Sequence, residues 1–164
     1  NTYTLRTVAM PVYWNGHVFG SCGGGGKGKL MTAVKLGGKG KVTETHVAWE
    51  RRRSLPYVPT PIAYGDHLYL WLDNGIVVCV DAKTGAEQWN ERVGRGDFSS
   101  SPLCIDGKIY CSSRTGEFTV IKASPKYELL GRSQLGESTH ATPAVSNGRL
   151  FLRGFRALYC LEAK

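Results

Sequence analysis

Length, composition and charge exclude several classes of protein at the outset. The chain has 164 residues, 41% hydrophobic and 21% charged, and its net charge is +8, values within the range of a single globular domain. No apolar run approaches the roughly 20 residues of a membrane-spanning helix, and the polar opening residues do not resemble a signal peptide. Because the chain starts at Asn1, we expect a fragment or a processed product.

The excess positive charge is concentrated in the first third of the chain. Residues 1–53 hold nine Lys and Arg against two acidic residues, whereas residues 54–164 hold twelve against eleven. Such a cluster can recruit nucleic acid, anionic lipid or an acidic polymer; the alternative is a set of solvated loops that keep the protein soluble. The candidate polyanion patch comprises Lys27, Lys29, Lys39, Lys41, Arg51, Arg52 and Arg53.

Four prolines mark an internal repeat. They are followed eight residues later by an aromatic residue, and a turn dipeptide stands between the two. Asn-Gly and Asp-Gly favour two-residue hairpins. The prolines are Pro11, Pro61, Pro102 and Pro143, the aromatics Phe19, Tyr69, Tyr110 and Phe151, and the dipeptides begin at Asn15, Gly65, Asp106 and Asn147.

In chain order, the repeat predicts four units of short strands. Thr2–Arg6 reads as a lone strand, within a spare segment 1–7 before the first unit. The units follow at about 8–55, 56–97, 98–138 and 139–164, and the last stops before a fourth strand. A 41-residue period with four antiparallel strands is typical of β-propeller blades, so we expect an all-β propeller segment of about four blades that forms one domain over residues 1–164.

Two local features invite other interpretations. The run Gly23–Lys29 in the first unit has P-loop spacing, but Leu30 replaces the Ser or Thr that would bind magnesium, and the strand-like MTAVKL follows where a helix is required. An extended loop therefore explains it better than a nucleotide site. The five cysteines lack metal-ligand spacing, and most lie in apolar strands, so we expect free thiols and no disulfide.

The second unit carries the most specific motif, VCVDAKTGAEQWN. Its Asp81, Thr84, Gly85 and Trp89 resemble the tryptophan-docking motif of the pyrroloquinoline-quinone (PQQ)-like repeat family. Trp49, 40 residues before Trp89, fits the same role. The third unit has only Leu129-Leu130 at that position. The resemblance implies that each tryptophan packs on a neighbouring blade, and that the chain is about half of an eight-bladed ring.

The family resemblance also implies a set of functions. Members include the β-barrel-assembly lipoprotein of the bacterial envelope and PQQ- and calcium-dependent dehydrogenases. No ligand set for PQQ or calcium is visible in this chain, so we expect a non-catalytic scaffold without a cofactor that binds a protein or polymer. The alternatives are a quinoprotein oxidoreductase and a polyanion-binding module. An extracytoplasmic location is implied by the family alone.

The segments that precede each proline supply candidate ligand-binding residues. In the family these segments approach the central channel, and their polar residues could line its mouth; the alternative is that they only cap hairpins. The candidates are Tyr57, Thr60, Ser99, Ser101, His140 and Thr142. Self-association, or further blades of a longer parent chain, would complete the ring.

Overall fold

The computed structural model confirms an all-β propeller segment. It describes residue 3, residues 6–23 and residues 28–162, and these form four antiparallel sheets, each wound as a simple meander. Blade 1 comprises β1 Val12–Trp14, β2 His17–Cys22, β3 Leu30–Lys35 and β4 Val47–Arg51; blade 2 comprises β5 Ile62–Tyr64, β6 His67–Trp71, β7 Ile76–Asp81 and β8 Glu87–Arg92; blade 3 comprises β9 Leu103–Ile105, β10 Lys108–Ser112, β11 Glu117–Lys122 and β12 Leu129–Gln134; blade 4 comprises β13 Ala144–Ser146, β14 Arg149–Arg153 and β15 Leu158–Glu162.

Each blade opens with the hairpin that the turn dipeptides predict. Asn15, Asp106 and Asn147 have positive φ, as do the glycines that follow them, which is the geometry of a type I′ turn. In blade 3 the turn pairs Lys108 with Ile105. This register fixes which side chains of the first two strands share a face.

The hydrophobic core lies between blades. In blade 2 the side chains alternate between its two faces. One set contacts blade 1 and the other contacts blade 3, so both faces are apolar. The first set includes Leu68, Leu70, Val78 and Val80, and the second includes Tyr69, Trp71, Val77 and Cys79.

The first strands of neighbouring blades lie closest to the centre, since β1 contacts β5 and β5 contacts β9. Blade 4 has three strands within the described residues. Of the predicted strand Thr2–Arg6, only Tyr3 and Arg6 are described; the other residues lie outside the described set. The described segments contain no helix, hence none that could span a membrane.

The strand ends fall into two groups, one at each end of the sheets. The connector end carries the turns between second and third strands and the connectors between blades. The hairpin end carries the opening hairpins and the links between third and fourth strands. Within the described residues, the connector-end segments are 6–11, 23, 28–29, 52–61, 72–75, 93–102, 113–116, 135–143 and 154–157.

Candidate functional site

The turn of the Asp81–Gly85 motif receives the tryptophan of the preceding blade. Trp49 Nε1 donates a hydrogen bond to the Ala82 carbonyl at 3.1 Å, and the indole packs on Phe19 with ring centroids 5.7 Å apart. Gly85 has φ of 74°, and a Cβ on it would lie 2.8 Å from Trp49 Cδ2. The position therefore needs glycine both for its backbone and for contact with the indole.

Trp89 repeats this arrangement between blades 2 and 3. Its Nε1 donates to the Ser124 carbonyl at 3.0 Å, and its ring lies between Tyr69 and Tyr127, at centroid distances of 6.1 and 5.4 Å. The two tryptophans thus join three consecutive blades. Aromatic rings of this size contribute much of the buried area at such contacts.

Gly131 takes the tryptophan position in blade 3, so the expectation of Leu129-Leu130 was wrong. In blade 2, Trp89 pairs with Cys79 on the third strand. At the equivalent place in blade 3, Gly131 pairs with Val120. The link between β11 and β12, residues 123–128, is one residue longer than the link 82–86 of blade 2, so each position of β12 moves on by one residue. The β-bulge after Val120 has counterparts after Ala33 and after Cys79. No described atom lies within 4 Å of a Cβ built on Gly131.

Asp81 organises its turn as a hydrogen-bond acceptor. Oδ1 accepts from the Thr84 hydroxyl at 2.7 Å, from the Thr84 amide at 2.7 Å and from the Lys83 amide at 3.1 Å. The hydrogen bond from the Thr84 side chain is the main cause that lowers the Asp81 pKa from its ordinary value. Asp81 and Thr84 therefore shape the platform on which Trp49 docks.

Three of the candidate channel-mouth residues form a hydrogen-bond ladder across the blades. The Met10 amide donates to Thr60 Oγ1 at 3.1 Å. The Thr60 amide donates to Ser101 Oγ at 3.0 Å, and the Ser101 amide donates to Thr142 Oγ1 at 3.0 Å. Each residue directly precedes a repeat proline, so the ladder follows the innermost strands and fixes neighbouring blades relative to one another.

The other channel-mouth candidates do not join this ladder. The Tyr57 amide donates to Asp73 Oδ2 at 2.8 Å, and Ser99 Oγ accepts from Arg114 Nε at 3.3 Å. His140 packs edge-on against Phe155, with ring centroids 5.4 Å apart, beside a shallow pocket of about 210 Å³. The six candidates thus share connectors between blades, but they do not converge on one cavity.

The structure separates the residues of the candidate polyanion patch. Lys39 and Lys41 lie at the hairpin end, whereas Arg51, Arg52 and Arg53 lie at the opposite end of β4. Lys27 is outside the described residues. The remaining member, Lys29, bonds the Leu55 carbonyl at 2.8 Å and lies 3.6 Å from Asp73. Arg51 pairs with Glu87 and Arg52 with Glu50.

The two ends of the sheets differ in their basic side chains. Among described residues, eleven basic and six acidic residues lie in connector-end segments or within three residues of them, against eight and seven at the hairpin end. Every arginine except Arg149 belongs to the connector end. The sequence analysis did not include Arg92, Arg95 and Arg132 among the candidate site residues. Their positions in or just after predicted fourth strands could have indicated that they lie at the same end of the sheets as Arg51.

The metal-ligating side chains of the described residues do not form a site that fits calcium and PQQ. No group of three or more His, Cys, Asp or Glu in the described ranges could hold a metal ion, whereas calcium takes about six to eight oxygens. Two carboxylates of the connector end already accept hydrogen bonds from the protein. Asp73 accepts from the backbone amides of Tyr57 and Val58. Glu137 accepts from the backbone amides of Arg156 and Ala157 and from the Tyr159 hydroxyl.

Comparison with known families decides the relationship of the chain. The PQQ_2 family model, described as outer membrane protein assembly factor BamB, matches residues 38–127. The chain belongs to this PQQ-like repeat family. A comparison with curated proteins finds no match.

Solved structures agree on the propeller fold. The crystal structure of BamB from Moraxella catarrhalis matches with a TM-score of 0.71 at 15% identity, over 97% of this chain and 46% of that one. A europium-containing methanol dehydrogenase matches with a TM-score of 0.62 at 13% identity, over 81% and 26%. The computationally designed Ika4 protein matches with a TM-score of 0.73 at 9% identity, over 99% and 94%. The chain therefore spans about half the length of the BamB structure.

Proposed function

We propose that the chain is part of a non-catalytic propeller scaffold of the bacterial envelope, which binds a protein partner through its connector end. The observation that carries this proposal is the excess of arginine there, eleven basic against six acidic residues among those described. Arginine is enriched at protein interfaces because its planar guanidinium makes several directed hydrogen bonds. An extracytoplasmic location belongs to the same proposal and is supported by the BamB family match.

The scaffold supports such a role because its loops are anchored. The ladder through Thr60, Ser101 and Thr142 ties the connectors of adjacent blades. Two carboxylates add further anchors: Asp73 binds the amides of the connector before it, and Glu137 binds the turn between β14 and β15. Recognition sites commonly lie on loops that a rigid framework positions.

Photo-crosslinking would test the proposed partner surface. A photoreactive residue is placed at Arg95, Arg114 or Arg156 of the full gene product, in the organism that encodes it, and at Lys83 or Lys126 of the hairpin end as controls. We expect discrete protein adducts from the first set alone. Equal yields from both ends would reject the proposal, and adducts with nucleic acid or polysaccharide would favour the polyanion-binding alternative.

The outward faces of blade 1 and blade 4 expose apolar side chains that the inner blades bury. We propose that further blades pack against these two faces, and that they come from a longer parent chain or from a second copy of this one. Leu158 is 63% exposed, and it occupies the register position of Val77, whose side chain is buried against blade 3. Tyr13 is 64% exposed on the opposite face of the series. The coverage of 46% of the BamB chain is consistent with about four missing blades.

Sedimentation of the isolated chain distinguishes a second copy from further blades of a longer parent chain. A two-chain ring has twice the mass of the 17.9 kDa chain, and Leu158→Asp should dissociate it because a buried charge is costly. Leu129→Asp, on the outer strand of blade 3, is the matched control. A stable monomer unaffected by Leu158→Asp contradicts the two-chain ring, and the full gene product then shows whether the same chain continues.

A quinoprotein oxidoreductase is the second candidate, favoured by the match to a europium-containing methanol dehydrogenase and to a quinohemoprotein alcohol dehydrogenase from Comamonas testosteroni. These matches cover 26% and 22% of the respective chains. We propose that this chain by itself binds neither PQQ nor calcium. Calorimetric titration with PQQ, with and without calcium, tests this; micromolar, calcium-dependent binding would support the oxidoreductase instead.

A further inference from the structure

Equivalent surface depressions lie between the fourth strands of successive blades. The depression between blades 1 and 2, the first niche, is lined by Arg51, Arg52, Arg53, Ser54, Glu50, Glu87 and Asn90. The depression between blades 2 and 3, the second niche, has a volume of about 370 Å³ and is lined by Arg92, Gly94, Arg95, Glu117 and Arg132. Arg132 directly follows Gly131 as Asn90 follows Trp89, so the two niches correspond.

The two niches differ in how their arginines are neutralised. In the first, Arg51 pairs with Glu87 and Arg52 with Glu50. In the second, no carboxylate lies within ion-pair distance of an arginine among the described residues. Internal ion pairs thus neutralise two of the three arginines in the first niche, where Arg53 has no such pair among the described residues, and none of the three in the second.

Backbone carbonyls hold two of the second-niche arginines in place. Arg132 donates from Nε and Nη2 to the Val93 carbonyl, at 3.1 and 2.7 Å. Arg92 donates from Nη1 to the Asn74 carbonyl at 2.8 Å. A carbonyl orients a guanidinium without cancelling its charge, so the remaining N–H groups are positioned to bind an anion.

Glu117 gives the second niche an acceptor beside these donors. Its Oε1 is buried without a hydrogen-bond partner among the described residues. Gly94 makes room for this oxygen, because a Cβ there would lie 2.8 Å from it. Because Oε1 is closed off from solvent, a ligand can contact Glu117 only through its other carboxylate oxygen, since Glu117 lines the niche. A ligand that offers both an oxyanion and an N–H donor would contact the arginines and that oxygen together.

We propose that the second niche binds a carboxylate of an acidic protein segment, Asp or Glu, with a backbone N–H of the same segment directed at Glu117. A peptide supplies both groups, whereas a phosphodiester lacks the donor, and inorganic phosphate, partly a dianion at neutral pH, would bring more negative charge against the Glu117 carboxylate. This assignment rests on the proposed scaffold function and specifies the chemistry of its partner.

Binding of a short labelled peptide of alternating glycine and glutamate, followed by fluorescence anisotropy with the whole chain, tests the assignment. Arg95→Gln is the main variant, because Arg95 has no hydrogen-bond partner among described residues and its loss should leave the fold intact. We expect it to weaken binding roughly tenfold, as for one charge-assisted hydrogen bond. Arg53→Gln in the first niche is the matched control and should change binding less than twofold.

Three outcomes would overturn the carboxylate assignment. They are equal binding of the glutamine version of the peptide, an equal effect of Arg53→Gln, and tighter binding of inorganic phosphate than of the peptide. Crosslinks at the connector end without peptide binding would reject the niche and leave the scaffold function standing. Peptide binding that Arg95→Gln weakens, without crosslinks in cells, would support the niche and reject the proposed partner surface.

Discussion

Gly85→Ala should destabilise the propeller because the residue meets two constraints at once. Its φ of 74° lies in the left-handed region, where an alanine costs about 1 kcal/mol. The new Cβ would lie 2.8 Å from Trp49 Cδ2, inside the roughly 3.5 Å of a carbon–carbon contact, and such overpacking costs about 1–3 kcal/mol. We therefore expect a loss of about 2–4 kcal/mol in the free energy of unfolding, measured by urea denaturation.

Two further variants isolate the contact with the indole. Gly65 also has positive φ, 57°, but no atom lies within 4 Å of its Cβ position, so Gly65→Ala should cost only about 1 kcal/mol. In a Trp49→Ala background, Gly85→Ala should fall to the same value. If Gly85→Ala matches Gly65→Ala in the intact chain, or keeps its full cost without Trp49, the indole does not dock on this turn.

Three other expectations concern single side chains. Trp89→Ala should lower the free energy of unfolding by about 3 kcal/mol, and a loss below about 1 kcal/mol in urea would show a merely superficial contact. Burial raises the pKa of the Cys111 thiol to about 12, so at pH 8 an alkylating agent should modify exposed Cys160 rapidly and Cys111 only after unfolding; mass spectrometry that finds equal rates would contradict this burial. The Thr84 hydroxyl bond lowers the Asp81 pKa, so the stability that Asp81 contributes is present above its unfolded pKa of about 3.9 and is lost as pH falls through the lower folded value. Asp81→Asn should remove this loss from the pH dependence of urea unfolding, and an unchanged profile would exclude the carboxylate as its source.

Local chemistry determined much of the fold. The Asn-Gly and Asp-Gly dipeptides fix the opening hairpins because these residues adopt positive φ readily, and once a two-residue turn is placed, the register follows. The pairing of Ile105 with Lys108 could be predicted for this reason. The spacing of Trp49 and Trp89 likewise pointed to contacts between blades, since a large aromatic residue at a repeat position needs a partner surface.

The positions that sequence reasoning misassigned depend on pairing between strands. The link between β11 and β12 is one residue longer than its counterpart in blade 2, and this puts Gly131, and not Leu130, at the tryptophan position. An extra residue in a surface link moves the following strand on by one position, and the residues of that strand carry no local signal of the move. The role of Thr60, Ser101 and Thr142 was also open, because a hydroxyl that binds the next blade and one that binds a ligand look alike in the sequence.

By itself, then, the sequence of this protein determined the repeat, the strand order and the hairpin turns, because these are set by residues close together in the chain. Only the tertiary structure decided which basic side chains lie together. It separated Lys39 and Lys41 from Arg51 by the length of a strand, and it brought Arg92 and Arg132, forty residues apart, to one niche. The physical reason is that blades pack through faces, so the charge of a niche depends on residues one full repeat apart.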